Sequence, residues 1–408
     1  MHFEIRNTST ETPINPALIG LKPTDNIPPN IVGIYIYELS PDNEEISKKY
    51  YPAYRGSSNQ LTIAGGTVKT GAYRIGIGIR TYDMMNGAKN HNGIYSLEMM
   101  TDNKPSFAFK LDSIPFDHTQ FIHTHMDYEE KENKKYVTKC FLSPINPLAI
   151  YNTDEQNGYI STYEFRKTKI DITVGDIENN KTSISFDLKR EGNLKVKHPK
   201  ISEDSYRIKP QDSIVIKNGE TDIVFHQATF SSPKKIKVGP ASNSVIDLKQ
   251  EKPIATFDRF KVRHKLDSIV HPKIKYVITD ENSKGEVHRQ KVRWEGEHVL
   301  VSFLSSLTTY KIEVDTIPPT IKVISLPSAK TKRFKFQLKD NFIPTHYTDD
   351  LKFDVYLDDK WVLCQHDGKT ETIWFDMISS HKIASHEVKV VASDASENRS
   401  ELTRTFKF

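Results

Sequence analysis

The sequence lacks any apolar run near the roughly 20 residues that a membrane-spanning helix needs. It has only two cysteines, Cys140 and Cys364, whose wide separation fits neither a metal-binding motif nor a disulfide framework. The first residues alternate between apolar and charged types, so they do not form the apolar core of a signal peptide. Taken literally, the chain is expected to stay in the cytoplasm, without a transmembrane segment.

The sequence motifs of several enzyme classes are also missing. There is no Gly-x-Ser-x-Gly nucleophile turn, no Walker loop for phosphates and no dinucleotide-binding fingerprint. Paired acidic residues such as Glu129 and Glu130 lie in charge-rich stretches, where a solvated loop is expected. Residue chemistry alone therefore predicts no active site.

Charge of one sign is not in large excess. The 57 Lys and Arg residues are balanced by 53 Asp and Glu residues, which leaves a formal net charge of +4. The basic groups at 234–237 and 330–335 alternate with apolar residues, a pattern typical of the solvent-facing side of a strand. Since no aromatic stacking residues accompany them, we expect no nucleic-acid partner.

The composition of the chain is that of a β protein. Ile, Val, Thr, Tyr and Phe recur in short runs, and clusters of Pro, Gly, Asn and Asp separate these runs. Because 408 residues exceed what one core usually holds, roughly two to four domains are expected. The sequence predicts an all-β chain with few helices.

Two repeated motifs divide the chain. Residues 25–31 (DNIPPNI) and 315–321 (DTIPPTI) each place a stiff Pro-Pro pair before a strand, so both are predicted domain starts. Residues 172–189 and 390–408 each contain a strand, an Asp-x-x-x-Asn turn and a second strand. Both of these segments are predicted closing hairpins.

The polar residues of the two hairpins have predicted roles. Asp176 and Asp394 are expected to accept hydrogen bonds from backbone N–H groups two residues on, and Asn180 and Asn398 suit a turn or a positive φ. Together the motifs resemble those of bacterial immunoglobulin-like domains, which begin with Asp-x-x-Pro-Pro and close with Asp-x-x-Gly-Asn. Where that pattern has Gly, this sequence has Asn179 and Glu397.

The predicted organisation is therefore a tandem series of immunoglobulin-like β-sandwich domains. Residues 24–190 are predicted to form a first β-sandwich region, 191–314 a second β-sandwich domain and 315–408 a C-terminal immunoglobulin-like domain. Residues 1–23 are interpreted as a terminal strand and a linker. Because an isolated strand needs a partner, residues 1–20 are expected to be loosely held or paired adventitiously.

The segment FIHTHMDYEE (121–130) is the candidate for a metal site. If it forms a strand, His123, His125, Asp127 and Glu129 point to one face, where imidazole and carboxylate ligands suit a divalent ion. The alternative is that this polar row faces water, and we favour it because no second histidine cluster supports a metal.

Aromatic residues offer a candidate for sugar binding. Trp361 and Trp374 lie in the segment DKWVLCQHDGKTETIWFD, and aromatic side chains on one face could stack on sugar rings. Packing in the core and between strands is the favoured explanation for these side chains.

The opening residues HFEIRN (2–7) resemble the end of the His-x-His-Phe-Glu-(Ile/Val)-Arg strand of lysostaphin-type (LytM-like) zinc endopeptidases. The segment NTSTETPINPALIG (7–20) is similar to the exit from that catalytic domain. Further segments fall in the order found in the C-terminal region of Bacteroidetes-type members, so the resemblance covers nearly the whole chain. These segments are 25–31, 76–99, 125–131, 310–321 and 360–370.

The resemblance implies that His2 matches a zinc ligand of that family. It also implies that the other ligands, a His and an Asp from an upstream segment, are missing from this sequence. A catalytic zinc needs about three protein ligands besides water, so His2 alone is not expected to bind a metal. We therefore expect an inactive chain without a cofactor, although zinc is implied for the full-length relatives.

For function, the resemblance implies a truncated, non-catalytic accessory region of a peptidoglycan-directed zinc endopeptidase. Its location would be the cell envelope, either periplasm or cell surface, and its partner peptidoglycan or an envelope protein. The alternative is a stand-alone immunoglobulin-like surface or periplasmic interaction module. A third and weaker hypothesis is a metal-dependent enzyme that uses His123, His125 and Asp127.

Overall fold

The computed structural model describes residues 4–22, 24–56, 59–143, 145–164, 166–192, 204–327, 331–345, 351–377 and 385–407. Among these residues, strands dominate and the helices are short, which confirms the all-β prediction. No helix in these ranges is both long and apolar enough to cross a membrane. Buried apolar residues form three large clusters, within 31–188, 208–312 and 334–406. We call the β-sandwiches around them the first, second and third units.

The N-terminal segment pairs with itself and with the first unit. Strands β1 (Ile5–Arg6) and β2 (Pro13–Ile14) form a small antiparallel sheet, and a 3₁₀ turn (Pro16–Ile19) follows. The Asn15 N–H donates to the Asp112 carbonyl at 2.8 Å, and Asn15 Nδ2 donates to the Leu111 carbonyl at 3.3 Å. The terminal strand therefore finds a partner within its own segment.

The first unit has two layers of strands that share one long strand. Strands β10, β7, β3 and β4 lie side by side in one layer, with β12 also paired to β7. Strands β5, β14, β13, β8, β9 and β11 form the other layer, with β6 also paired to β14. Strand β4 joins them, since it pairs first with β3 and then with β5. The strands are β3 (Asn30–Leu39), β4 (Glu45–Arg55), β5 (Leu61–Ile63), β6 (Thr67–Thr70), β7 (Arg74–Tyr82), β8 (Ser96–Thr101), β9 (Lys104–Lys110), β10 (Val137–Lys139), β11 (Tyr151–Thr153), β12 (Ile160–Ser161), β13 (Lys167–Gly175) and β14 (Lys181–Arg190).

Strand β3 is buried on both of its faces. Its alternate residues Ile34 and Ile36 lie in the core between the layers, whereas Tyr35 and Tyr37 belong to a separate apolar cluster on the outer face. Gly78 of β7 makes room for this second cluster, because a Cβ there would lie 2.9 Å from the Tyr37 ring. The close backbone approach expected in this glycine-rich segment is therefore observed.

A helical insertion lies between β9 and β10. It consists of a 3₁₀ helix (Phe116–Phe121), helix α1 (Ile122–His125) and helix α2 (Tyr128–Glu132). The Asp127 side chain caps α2 by accepting from the Glu130 N–H at 3.1 Å. The strand on which the candidate metal site depended is therefore not formed, because the capping carboxylate and the acidic first turn favour a helix there. The favoured alternative of a water-facing polar row is wrong too, since His125 and Asp127 are buried.

The second unit also has two sheets. Their strand orders are β16-β17-β20-β24-β23 and β19-β25-β21-β22-β28, where β28 (Ile343–Pro344) comes from later in the chain, and β15 pairs separately with β18. The strands are β15 (Ser205–Ile208), β16 (Ile214–Asn218), β17 (Thr221–Phe225), β18 (Lys234–Lys237), β19 (Val245–Asp247), β20 (Phe260–Lys265), β21 (Tyr276–Glu281), β22 (Val287–Gln290), β23 (Val292–Glu295), β24 (Val299–Leu304) and β25 (Thr309–Val314), with a 3₁₀ turn at Lys273–Lys275.

The third unit is a smaller sandwich that reaches back into the second. Its sheets have the orders β26-β27-β32-β31 and β30-β29-β33-β34, while β28 pairs with β22 of the second unit. The strands are β26 (Thr320–Ser325), β27 (Arg333–Lys339), β28 (Ile343–Pro344), β29 (Lys352–Leu357), β30 (Lys360–Trp361), β31 (Gln365–Asp367), β32 (Thr372–Asp376), β33 (Ser385–Ser393) and β34 (Arg399–Lys407).

The repeated hairpins hold the domain starts in place. Asp176 Oδ1 accepts from the N–H groups of Glu178 and Asn180, at 2.8 and 2.9 Å, which confirms its predicted role. Asn180 Nδ2 donates both to Asp176 Oδ2 and to the carbonyl of Asp25, the first residue of the start motif. In the third unit, Asp394, Asn398 and Asp315 repeat this arrangement.

The positive φ of each hairpin falls one residue earlier than predicted. It lies at Asn179 (67°) and Glu397 (61°), not at Asn180 and Asn398. The reason is that each Asn amide is needed for the hydrogen bonds to the aspartate and to the start motif. The position where bacterial immunoglobulin-like domains have Gly is thus the strained position here.

Replacing Glu397 by Gly is expected to stabilise the third unit by about 0.5 kcal/mol. The left-handed conformation costs a residue with a Cβ about 1–2 kcal/mol, and the greater freedom of Gly in the unfolded chain offsets part of this gain. Urea unfolding measures the change. The control is Glu401→Gly in β34, which is expected to destabilise by about 0.5–1 kcal/mol. Equal destabilisation by both variants would contradict the prediction.

Candidate functional site

The four residues of the candidate metal site, His123, His125, Asp127 and Glu129, lie in the helical insertion, where the first three do not converge. His123 Nδ1 is 3.4 Å from Lys131 Nζ, whereas His125 Nδ1 is 3.0 Å from the Tyr151 hydroxyl. Asp127 instead accepts hydrogen bonds from Tyr37 and caps α2. Each side chain therefore has a separate structural partner, and the structure does not bring the three together as a ligand set.

The two histidines are held in their uncharged forms. Burial lowers the pKa of His125 to about 4, and its ring meets the Phe109 ring edge-on at 4.5 Å. Burial and then the Lys131 charge lower the pKa of His123. His125 thus acts as a core residue with one hydrogen bond.

The centre of the insertion is a buried group of charges around Lys48. Its Nζ lies 3.0 Å from Asp127 Oδ2, 3.0 Å from Glu130 Oε1 and 3.3 Å from Glu129 Oε2. The Lys48 side chain is only 10% exposed, so these contacts are shielded from water. The Tyr35 hydroxyl donates to Glu130 at 3.0 Å. We call Lys48, Asp127, Glu129 and Glu130 the Lys48 cluster.

Two members of the cluster, Lys48 and Asp127, have shifted pKa values. Burial opposes the charged form of Lys48, but Asp127 and Glu130 outweigh it and raise the pKa of the ammonium group. Burial likewise opposes the charge on Asp127, but Lys139, the Tyr37 hydroxyl and Lys48 lower the pKa of that carboxyl. The charges of Lys48 and Asp127 therefore persist at neutral pH, and the cluster fastens the insertion onto β3 and β4.

A cleft of about 410 Å³ borders the cluster where the first and second units meet. Lysines from both units line the cleft, including Lys139 and Lys234. The pKa of Lys234 is lowered, first by burial and then by the nearby charge of Lys139. Glu129 closes one side through a 3.1 Å ion pair with Lys252. This cleft is part of the contact between the units, together with the stacked rings of Phe121 and Phe257.

A larger cavity, of about 710 Å³, opens on the other side of the insertion. Ile94, Ile122 and Met126 give it apolar walls, and the cations of Arg80 and Lys134 line it as well. We call it the insertion cavity. A mostly apolar concave site with a few charged groups is the usual form of a ligand pocket.

The rim of the insertion cavity carries aromatic side chains. Tyr136 is 60% exposed, and the rings of Tyr82 and His91 stack with centroids 4.0 Å apart. An exposed aromatic side chain beside apolar walls can bind a sugar ring or a peptide side chain. The insertion cavity thus combines a volume of about 710 Å³ with an accessible aromatic side chain.

The remaining sequence candidates do not form a site. His2 lies outside the described residues. Trp361 and Trp374 lie in different sheets of the third unit, on β30 and β32, so they do not form one stacking surface. Cys140 and Cys364 are both free, one buried and one half-buried.

Sequence reasoning missed both the Lys48 cluster and the insertion cavity. Tyr35, Tyr37 and Lys48 are ordinary members of alternating strand patterns, and their role depends on contacts with residues 79 to 95 positions later in the chain. The one available signal was Asp127 followed by acidic residues, which is a helix-capping pattern.

Comparisons with known proteins leave the function open. No protein-family model and no curated protein matches the chain. Solved structures that align with it include a bacterial ice-binding adhesin (9% identity, 94% of this chain and 98% of that one, TM-score 0.17). A Bacteroides ovatus protein solved with a mixed-linkage heptasaccharide aligns at 8% identity (94% and 71%, TM-score 0.18). The human desmocollin-1 ectodomain aligns at 9% identity (82% and 85%, TM-score 0.18). These superpositions are too loose to carry an argument, so the fold assignment rests on the sheets of the chain itself.

Proposed function

We propose that this chain is a non-catalytic interaction module, and that the insertion cavity of the first unit is its ligand site. The observation that carries this proposal is the combination of apolar walls, an exposed Tyr136 and the nearby cations Arg80 and Lys134. The imidazoles and carboxylates that sequence reasoning offered for chemistry have structural partners instead. Binding, not catalysis, is what this arrangement supports.

The chemistry of the cavity favours an anionic ligand with an apolar or ring-shaped part. Arg80 and Lys134 suit carboxylates, and the tyrosine and the stacked Tyr82–His91 pair suit sugars or small side chains. Peptidoglycan combines sugars with peptides that end in carboxylates. We therefore propose peptidoglycan in the cell envelope as the first partner to test, and an envelope protein as the second.

The resemblance to lysostaphin-type endopeptidases gives this proposal a setting. If the chain is the accessory region of such an enzyme, its units would position a catalytic domain on the cell wall. The match of residues 2–7 and the ordered later segments support this finer proposal. In the alternative of a stand-alone surface or periplasmic interaction module, the same cavity would be the ligand site.

The full chain is expected to sediment with purified peptidoglycan, and Tyr136→Ala is expected to weaken this binding about tenfold or more. Exposed aromatic anchors commonly contribute about 2 kcal/mol to an interface, and Tyr136 packs little in the free protein. Cosedimentation and calorimetry with soluble muropeptides measure the change. The same incubations should release no muropeptides, because the chain is proposed to be inactive.

The matched control is Tyr54→Ala on β4. Tyr54 is 45% exposed and is not part of the cavity lining, so its replacement should leave binding unchanged. The proposed ligand site is wrong if Tyr136→Ala and Tyr54→Ala bind alike. The interaction role itself fails if the unaltered chain binds neither peptidoglycan nor envelope proteins.

A further inference from the structure

The first and third units contain equivalent groups of three aspartates. Each group takes one carboxylate from the start motif and one from the closing hairpin, namely Asp25 and Asp176 in the first unit and Asp315 and Asp394 in the third. The strand register supplies the third member. Asn30 pairs with Tyr82, the residue before Asp83, while Thr320 pairs with Lys339, the residue before Asp340.

The third-unit group already has a cation. Arg289, from β22 of the second unit, places Nη1 3.5 Å from Asp315 Oδ2, and the same nitrogen donates to Ser396 Oγ at 2.6 Å. Both partners of this ion pair are almost fully buried, with side-chain exposures of 9% and 0%. In the third unit, a buried positive charge therefore lies beside one of the three aspartates, and a buried charge with a partner costs less than one without.

The first-unit group brings its carboxylates together without such a side chain. Ligand oxygens of Asp25, Asp83 and Asp176 all lie within 4.8 Å of one another. Asp83 is only 6% exposed, and its Oδ1 has no hydrogen-bond partner among the described residues. Burial and then the charges of Asp176 and Asp25 raise the pKa of Asp83 to about 6, although the Met84 N–H opposes this.

A cavity of about 370 Å³ adjoins the three carboxylates. The N-terminal segment lines it through Asn15 and Lys22, among other residues. The Lys22 ammonium group, however, lies 2.7 Å from Glu178 Oε1 and is thereby paired with a different carboxylate. The cavity gives the carboxylates access to solvent and to further oxygen ligands from water.

We propose that Asp25, Asp83 and Asp176 bind a hard divalent cation, with Ca²⁺ as the preferred ion. The site offers only oxygen ligands, which suits Ca²⁺ or Mg²⁺ and not zinc, whose structural sites use sulfur and nitrogen. Carboxylates on three separate elements and a wide adjoining cavity suit the larger ion, because Mg²⁺ demands a compact octahedron. The ion takes the place in the first unit that Arg289 takes in the third.

The bound ion would join three parts of the first unit. Asp25 precedes β3, Asp83 follows β7 and Asp176 lies between β13 and β14, so one ion links a domain start, a strand end and the closing hairpin. The N-terminal segment lines the same cavity, so its attachment should tighten as well. The ion is therefore a structural link and not a catalytic group.

Calorimetric titration of the chelator-treated full chain with CaCl₂ tests this proposal. We expect one Ca²⁺ per chain, and a rise in the thermal unfolding temperature of the first unit when Ca²⁺ is added. Asp83→Asn should reduce the Ca²⁺ affinity on the order of tenfold or more, because it removes a charged ligand. Without Ca²⁺ this variant should fold at least as well as the unaltered chain, since it relieves repulsion between buried carboxylates.

The matched control is Asp340→Asn, the same change at the equivalent strand end of the third unit, where Arg289 pairs with Asp315. It should leave the Ca²⁺ titration unchanged. Absence of one-site Ca²⁺ binding by the unaltered chain overturns the proposal. Equal Ca²⁺ affinity in Asp83→Asn and the unaltered chain overturns it too, whereas a loss confined to Asp83→Asn supports it. A titration with MgCl₂ that gives the tighter binding would overturn the choice of ion.

Discussion

Replacing Lys48 by Met is expected to destabilise the first unit by about 3–5 kcal/mol. This is the usual cost of removing one partner from a buried ion pair, because the other charge stays buried without compensation. Here the Lys48 ammonium group lies 3.0 Å from both Asp127 and Glu130, and among the described residues that form ion pairs with them it is the most buried cation. Met keeps most of the side-chain volume, so the loss reports on charge more than on packing.

Differential scanning calorimetry and urea unfolding of the full chain measure this effect. The control is Lys167→Met on β13, where the ion pair with Asp187 has a similar length, 3.1 Å, but a lysine that is 59% exposed. An exposed pair contributes about 0–1 kcal/mol, so this control should change little. Similar losses in both variants would show that burial of the Lys48 cluster does not matter for stability.

The pH dependence gives the Lys48 prediction a second signature. The pKa values of Asp127 and Glu130 are lowered in the folded chain, since Lys48 and its neighbours outweigh the effect of burial. These carboxyls therefore add stability above their unfolded pKa values, about 4, and the contribution is lost as pH falls through the lower folded values. The deficit of Lys48→Met should accordingly shrink between pH 5 and about pH 3. A deficit that is constant with pH would point to packing instead.

The repeated motifs made part of this structure predictable. Local hydrogen bonds determine the closing hairpins, so Asp176 and Asp394 could be given their roles from spacing alone. The strand-rich composition likewise predicted sandwiches, because alternating apolar residues bury one face of a strand. In both cases the residues that decide the structure are close together in the sequence.

The sites were not predictable, because they depend on contacts between distant residues. The 121–130 segment has an alternating pattern that suits a strand, but Asp127 caps a helix there and places Glu130 beside a lysine 82 positions earlier. Asp83 and Asp340 are single aspartates at strand ends. Only the register of each strand against its domain start brings them to the two other carboxylates. A repeat search that compared strand ends as well as motifs could have found this pair.

Replacing Arg289 by Met is the second change for which we expect a large effect, a loss of about 3–5 kcal/mol in the stability of the third unit. The guanidinium group forms a buried ion pair with Asp315, and it also donates to the fully buried Ser396 hydroxyl. Met retains the packing of the stem and removes the charge. The contact between the second and third units should loosen together with the fold, because Arg289 belongs to the second unit.

Calorimetry measures the loss of stability of the third unit. Limited proteolysis at the junction near residue 315 measures the loosening of the contact between the second and third units. The control is Arg293→Met, in which the lost guanidinium group is 58% exposed and 3.9 Å from Glu295; this variant should change stability by less than about 1 kcal/mol. Arg289→Lys keeps the charge but not the planar fork, so it should recover part of the loss.

If Arg289→Met and Arg293→Met unfold alike, the three aspartates of the third unit do not need a cation. The reason for expecting one in the first unit would then weaken, because both groups take their aspartates from a start motif, a strand end and a closing hairpin.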